Sequence, residues 1–283
     1  MKSAIMLISC PDSKGITAAV TGFVFNHGGN IIHVDQHVDE TTNAFFMRIE
    51  WSYPEETPPR ESIQRDFAPI ERKFSMRCQL FFSDERPRVA LFVSKHLHCL
   101  YDVLWKYKSG HFNCEIPVIL SNHDDAREIA AMFGIPFVRH IVTKENKLDI
   151  ERLQMETLRE YSIDTVGLAR YMQVLSPVFV RAFPERIINI HHSFLPAFKG
   201  AEPYRQAYEK GVKIIGATGH YVSEDLDMGP IIEQDTARVS HRDTVEDLVR
   251  MGQDLEKVVF SRAIQWHCER KVLCFSNKTV VFD

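Results

Sequence analysis

No glycine occurs between Gly29 and Gly110, and neither G-x-G-x-x-G nor a Walker A pattern occurs anywhere in the chain. A dinucleotide or nucleoside-triphosphate site therefore has no sequence support. Cysteine is sparse: Cys10, Cys78, Cys99, Cys114, Cys268 and Cys274 form no C-x-x-C pair, and they read as reduced thiols. A basic surplus is missing as well. The 34 Lys and Arg face 38 Asp and Glu, a formal net charge of -4. Nucleic acid is not expected as a partner on that balance. No stretch approaches the roughly 18 apolar residues of a membrane span, so no membrane partner is expected. The apolar run before Cys10 covers only Ala4 to Ile8, too short for the core of a signal peptide, and the expected location is cytoplasmic.

A chain of 283 residues with ordinary hydrophobic and charged content has room for about two domains. The first stretch alternates element types. AIMLISC (4–10) reads as a strand and GITAAVTGFVFNHG (15–28) as a helix stopped by Gly28-Gly29. NIIHVDQHVD (30–39) alternates through Ile32, Val34, Gln36 and Val38, the strand period, and NAFFMRIEWS (43–52) follows as another strand. A Pro-rich loop, YPEETPPR, leads to a helix over 60–73 and a strand at 75–82. The order βαββαβ predicts a ferredoxin-like domain over 1–83, with a polar linker at 84–88.

Beyond the linker, short apolar strands at 89–94, 116–121, 137–140, 164–169 and 186–190 alternate with helices near 97–109, 124–133 and 148–161. That alternation predicts an α/β domain over 89–283, doubly wound around a mostly parallel sheet. Strands at 213–222 and 230–239, a long helix at 244–268 and a hairpin turning at Ser276-Asn277-Lys278 complete it.

Two clusters carry candidate chemistry. Asn189 and His191 sit at the end of the strand RIINI, two residues apart, so their side chains share one face. The carboxyl end of a strand is also where open parallel sheets bind ligands. His192 is expected to face the other way, as a packed structural histidine. SFLPAFKGAEP follows as a loop able to shape a rim. The second cluster is GATGHYVSEDLDMGP, a strand carrying His220 and then an acidic loop with Glu224, Asp225 and Asp227. Alone, such a loop is an ordinary solvated turn. Taken together, Asn, His and Asp suit hydrolysis of an amide: an amide donor for the oxyanion, an imidazole for protons, and a carboxylate to orient it or hold a water.

NIHHSFLP with SEDLDMGPII resembles the paired signatures of the folate-dependent formyltransferase superfamily, an Asn-Ile-His strand end and a Leu-Asp-x-Gly-Pro loop. The resemblance covers 89–283. It implies Asn189, His191 and Asp227 as the catalytic set and His220 as an accessory residue. RYMQVLS (170–176) is similar to the stretch that reads the pterin ring, which implicates Met172, Gln173, Val174 and Leu175, with Glu224 and Asp225 also on the folate side. The first 83 residues resemble an ACT domain, through ISCPDSKG and NHGGNI. That likeness implies an amino-acid effector near Asp12 and Gly15, the alternative being a pure dimerisation domain; the exposed edges of so small a sheet predict a homo-oligomer, dimer or tetramer.

The transferases of this superfamily that formylate glycinamide ribonucleotide hold its phosphate on a Gly-rich loop after the first strand of the domain. Here that strand runs into SKHLHCLYDVLWKY, with no glycine to let the backbone approach a phosphate. Water is therefore the expected acceptor. The implied reaction is hydrolysis of 10-formyltetrahydrofolate to formate and tetrahydrofolate, supplying formate for purine synthesis and balancing the one-carbon folate pool. The folate is the substrate; no cofactor is implied. His96, His98 and Cys99 have ligand chemistry but no standard zinc spacing, and no metal is expected. The alternatives are a transferase of the same superfamily and a non-catalytic folate or amino-acid sensor.

Overall fold

The computed structural model describes residues 2–53, 60–196 and 203–283. The Pro-rich stretch at 54–59 and residues 197–202 of the expected rim loop lie outside them. The chain divides into two compact units, 1–86 with 270–273 and 280–283, and 87–269 with 274–279. Sequence order alone assigned the whole of 89–283 to one domain, and the end of the chain departs from that.

The first unit runs β1 (Ser3–Pro11), α1 (Ile16–Asn26), β2 (Asn30–Asp39), β3 (Ala44–Ser52), α2 (Arg60–Phe74) and β4 (Arg77–Phe82). Its antiparallel sheet has the order β2-β3-β1-β4, the ferredoxin-like arrangement. The β2–β3 turn is held by Asp39, whose carboxylate accepts the N–H of Thr41 at 2.9 Å and of Thr42 at 3.2 Å. Alternate residues of β1 and β3 (Met6, Ile8, Phe45, Met47, Ile49) pack on Val20 and Phe23 of α1 and Phe67 of α2. On the opposite face Arg48 donates from Nε to the carbonyl of Arg270 at 3.1 Å, and the Arg270 guanidinium lies 4.2 Å from the Phe81 ring centre. Those contacts explain why β3 is buried on both faces, unlike a strand with one wet side.

The second unit contains β5 (Arg88–Val93), α3 (His98–Lys108), β6 (Glu115–Ser121), α4 (Arg127–Phe133), β7 (Phe137–Arg139), α5 (Lys147–Glu160), β8 (Thr165–Ala169), α6 (Pro177–Ala182), β9 (Ile187–His191), α7 (Pro203–Glu209), β10 (Ile214–Tyr221), β11 (Ile231–Arg238) and α8 (Val245–Cys268). The sheet order is β11-β10-β9-β8-β5-β6-β7. It is parallel from β7 to β9 and turns antiparallel at β10 and β11. The strand order reverses between β5 and β8, which makes the carboxyl ends around β8 and β9 the natural ligand crevice. Helix α8 starts at a capping box, with Thr244 and Asp247 each satisfying the other's backbone N–H. β12 (Val272–Phe275) and β13 (Lys278–Val281) pair as a hairpin at the end of the chain. No described helix is long and apolar enough to cross a membrane.

Candidate active site

Register assembles the site before any side chain turns. β9 and β10 pair so that His220 lies directly opposite Asn189 and Thr218 opposite His191. Asn189 and His191 are two residues apart on β9, so Asn189, His191 and His220 share one face. Asp227 arrives from the loop after β10. Its Oδ2 lies 3.3 Å from Nδ1 of His191, and its Oδ1 lies 3.7 Å from Nε2 of His220.

The hydrogen bonds assign the tautomers. Nδ1 of His220 sits 2.9 Å from the carbonyl of Tyr221, which can only accept, so that nitrogen carries the proton. Nε2 of His220 is then an acceptor for the Asn189 amide at 3.2 Å. Burial first, then repulsion from neighbouring imidazole charge, holds His220 below the usual histidine range. At His191 the carboxylate faces Nδ1, which carries the proton, while the buried Nε2 has no hydrogen-bond partner among the described residues. That nitrogen is left with an unused lone pair. The His191 hydrogen bond, helped by the surrounding imidazoles and opposed by desolvation, keeps the Asp227 carboxyl below its ordinary range.

The loop that carries Asp227 is under tight backbone constraint. Asp227 has φ +55°, the left-handed region that Asp tolerates better than most residues. Tyr221 donates its N–H to Pro230 at 2.9 Å, and Asn277 donates its amide to the Met228 carbonyl at 2.9 Å. A Cβ on Gly229 would stand 1.8 Å from the Tyr221 carbonyl oxygen. Gly229→Ala must therefore shift the loop, and a displacement of about 1 Å can cost on the order of 10²-fold in rate. The expected result is a folded protein with strongly reduced turnover; unchanged turnover would show that the loop's position does not matter.

The opposite wall comes from the segment after β8. Gln154 of α5 donates to the Tyr171 hydroxyl at 3.0 Å, and Glu151 accepts the Ser176 N–H at 3.0 Å. These bonds anchor both ends of the stretch and leave Met172 and Val174, both more than half exposed, free to present apolar surface. Together with the catalytic candidates they enclose a cavity of about 240 Å³, lined by Met172, Gln173, Val174, Leu175, Asn189, His191, His220, Glu224 and Asp227 among others. The volume is below the ~300–1,000 Å³ of sites that enclose a drug-sized ligand. It suits one end of such a molecule, the rest lying outside.

Asp225 is off the cavity lining; its carbonyl accepts the Ser223 hydroxyl at 2.8 Å and the Met228 N–H at 3.3 Å. Glu224 lines the cavity and pairs with Arg181 at 2.9 Å. In the first unit Gly15 caps α1 at φ +94°, with no side chain bonded to the first turn, and Asp12 donates its N–H to the Asn43 carbonyl at 2.9 Å.

Alternation misplaced His192. β9 ends at His191, so the two-residue period does not govern the next position, and His192 lines the cavity with its ring 5.1 Å from that of His191. Burial, then the Arg170 and His191 charges, pushes its pKa down to about 3. Unfolded His192 binds a proton near the ordinary value of about 6.5, whereas the folded form stays neutral. Between those values the unfolded state holds more protons, so stability falls as pH drops. Melting temperature should decline from about pH 6.5 downward, and His192→Asn should flatten that decline; equal slopes would remove His192 from the acid response.

His98 and Cys99, from the stretch after β5, meet Glu256 of α8 with their donor atoms within 4.8 Å of one another. Both Glu256 oxygens are engaged, Oε2 by His98 Nε2 at 2.7 Å and Oε1 by the Tyr204 hydroxyl at 2.6 Å. Arg170 Nε stands 3.4 Å from Oε2, where its charge would repel a divalent cation. Burial also keeps the Cys99 thiol protonated. The cluster is an ion-pair network by chemistry; nothing in the sequence signalled Glu256 or Tyr204, and Arg170 stood there only as the first residue of RYMQVLS.

Residues 87–264 match the Formyl transferase family and residues 4–67 the ACT domain. A Synechocystis formyltetrahydrofolate deformylase is 50% identical over 280 residues, 99% of this chain and 98% of that one. A Bacillus subtilis protein of the same name is 49% identical, over 98% of this chain and 93% of its own. The crystal structure of a formyltetrahydrofolate deformylase from Pseudomonas syringae pv. tomato superposes with a TM-score of 0.96 at 43% identity, covering 100% of this chain and 95% of that one. Glycinamide ribonucleotide transformylase 1 from Symbiobacterium toebii reaches 0.67 at 31% identity, over 72% of this chain and 98% of that one. With its two domains matched in order and its full length aligned at such identity, the chain belongs to the formyltetrahydrofolate deformylase family.

Proposed function

We propose that the chain hydrolyses 10-formyltetrahydrofolate to formate and tetrahydrofolate through Asn189, His191 and Asp227. The observation that carries this reading is the His191 imidazole, with Nδ1 facing the Asp227 carboxylate and a buried, unpartnered Nε2 in a cavity also lined by Asn189. The pterin end lies against Met172, Gln173, Val174 and Leu175. A water attacks the formyl carbon and gives a proton to Nε2 of His191. Asp227 stabilises the imidazolium, and the Asn189 amide donates to the oxyanion. As the C–N10 bond breaks, N10 takes that proton from His191. The formic acid released ionises to formate, so one water is consumed and one proton liberated.

The acceptor distinguishes this from the transferase reading. α3 begins at His98, its cap residue Leu97 makes no side-chain cap bond, and the stretch around that start holds Lys95, His96 and His98 in place of glycines. Purified protein given only water and the folate should release formate. Adding glycinamide ribonucleotide should yield no formylated product; formyl transfer at a rate matching formate release would make the protein a transferase.

The ACT unit binds an amino acid near Asp12 and Gly15, where the uncapped start of α1 offers N–H groups to a carboxylate. It also joins two copies of the chain. β2 is a ten-residue edge strand, exposed along most of its length, with Ile32 53% and Val34 44% accessible. Such an edge is usually covered by a partner. Light scattering at micromolar concentration should report a dimer or tetramer, and a monomer would refute the pairing.

A further inference from the structure

Arg170 has no part in the hydrolytic steps above, and its surroundings are unusual for an arginine. It follows β8 in the left-handed region at φ +60°, a conformation that strains a side-chain-bearing residue. Its backbone is held there by the Ser94 N–H, which donates to the Arg170 carbonyl at 3.3 Å. Only 11% of the side chain is accessible, yet Arg170 lines the same cavity as Asn189, His191 and Asp227. Among the described residues its ionic partner is Glu256, at 3.4 Å from Nε, and that carboxylate already accepts from His98 and Tyr204. Burial pushes Glu256 up, but those hydrogen bonds and the Arg170 charge outweigh it, so the group stays ionised. Nε and Nη1 of Arg170 are buried without a hydrogen-bond partner among the described residues. A guanidinium has five donors in a planar fork, and a desolvated one with unused donors is costly unless something occupies them.

His192, whose ring centre lies 5.1 Å from His191 and 6.3 Å from Tyr204, connects the catalytic histidine to the Arg170–Glu256 cluster. Resting on the hydrolysis proposed above, the charge balance of the reaction supplies what is missing. The formyl group enters neutral and leaves as formate, a planar anion with two oxygens, the shape a guanidinium fork accepts. Asp227 repels that anion from the His191 side of the cavity, while Arg170 attracts it to the other wall. A transferase, whose product is a neutral amide, has no use for such a receptor. We propose that Arg170, held by Glu256, is the binding site for the formate product.

Sodium formate binding can be measured directly by saturation-transfer NMR and calorimetry at fixed ionic strength, using the full-length protein and Arg170→Gln and Arg170→Lys variants. The wild type should bind formate saturably. Arg170→Gln should weaken binding about tenfold or more, as expected for lost charge-assisted hydrogen bonds, with Arg170→Lys intermediate. Product inhibition of turnover by formate should weaken in parallel, while tetrahydrofolate binding stays within about twofold. If Arg170→Gln fails to fold, Arg170→Lys decides, since it keeps the charge and loses the fork. Saturable formate binding of equal strength in the variants would overturn the assignment, as would none in the wild type. Either result leaves hydrolysis standing if the wild type still releases formate; a wild type that releases none sinks the hydrolytic reading instead.

Discussion

Asp227→Asn is expected to lower turnover by about 10²–10⁴-fold while the fold and folate binding persist, because the substitution removes a charge and little else. Asn is as tolerant as Asp of the left-handed backbone at φ +55°, so the loop has no reason to move. Its amide oxygen can still accept the Nδ1 proton of His191. What disappears is the negative charge 3.3 Å from Nδ1, which would stabilise the imidazolium formed when water is deprotonated. The same charge sets the acid limb of the pH profile. The His191 hydrogen bond holds the Asp227 carboxyl below its ordinary value, so the pair persists above that depressed pKa. Both the stability it contributes and the activity it supports are lost as pH falls through it. Turnover in the variant above half that of the parent, with formate release as the readout, would remove Asp227 from the mechanism.

The fold was legible because most elements were long enough for period and punctuation to show. β2 carries the two-residue period, Gly28-Gly29 ends α1, and the apolar strands of the second unit recur between helices. The two helices that went unread, α6 at Pro177–Ala182 and α7 at Pro203–Glu209, have only six and seven residues. Neither is long enough to establish a 3.6-residue period. Ser176 was the available signal: it precedes Pro177 and its hydroxyl accepts the Phe179 N–H at 3.3 Å, a cap that the sequence alone suggests.

The site separates by the same logic. Asn189, His191 and Asp227 stand out as candidates because two short motifs carry them, and the β9–β10 register explains physically why His220 accompanies Asn189 and His191. Arg170 and Glu256 lie far apart along the chain, one just after β8 and the other in α8, and no local pattern joins them. Their pairing is a product of the chain's path, as is that of Tyr204, which reaches Glu256 because Gly252 leaves room: a Cβ there would stand 2.1 Å from the hydroxyl. His192 was misread for a simpler reason. Strand alternation applies only while the strand lasts, and β9 stops one residue earlier.

Asn189→Ala should cost roughly 10²–10³-fold in turnover, the loss typical of removing one oxyanion donor. The tautomer of His220 fixes the direction of the Asn189 amide. With Nδ1 of His220 donating to Tyr221, Nε2 must accept, so Asn189 presents its NH₂ rather than its oxygen on that side. One amide hydrogen is used at 3.2 Å from His220, and the other remains for the formyl oxygen as it gains charge. Half-buried at the end of a strand, the side chain is held in place before the substrate arrives. A preoriented donor of that kind acts on the transition state more than on the bound substrate, so kcat should fall and KM change little. His220→Ala, which frees the amide to rotate but leaves it present, should cost less than Asn189→Ala. If Asn189→Ala changed KM alone, the residue would be holding the folate in its ground state, and the oxyanion would need another donor.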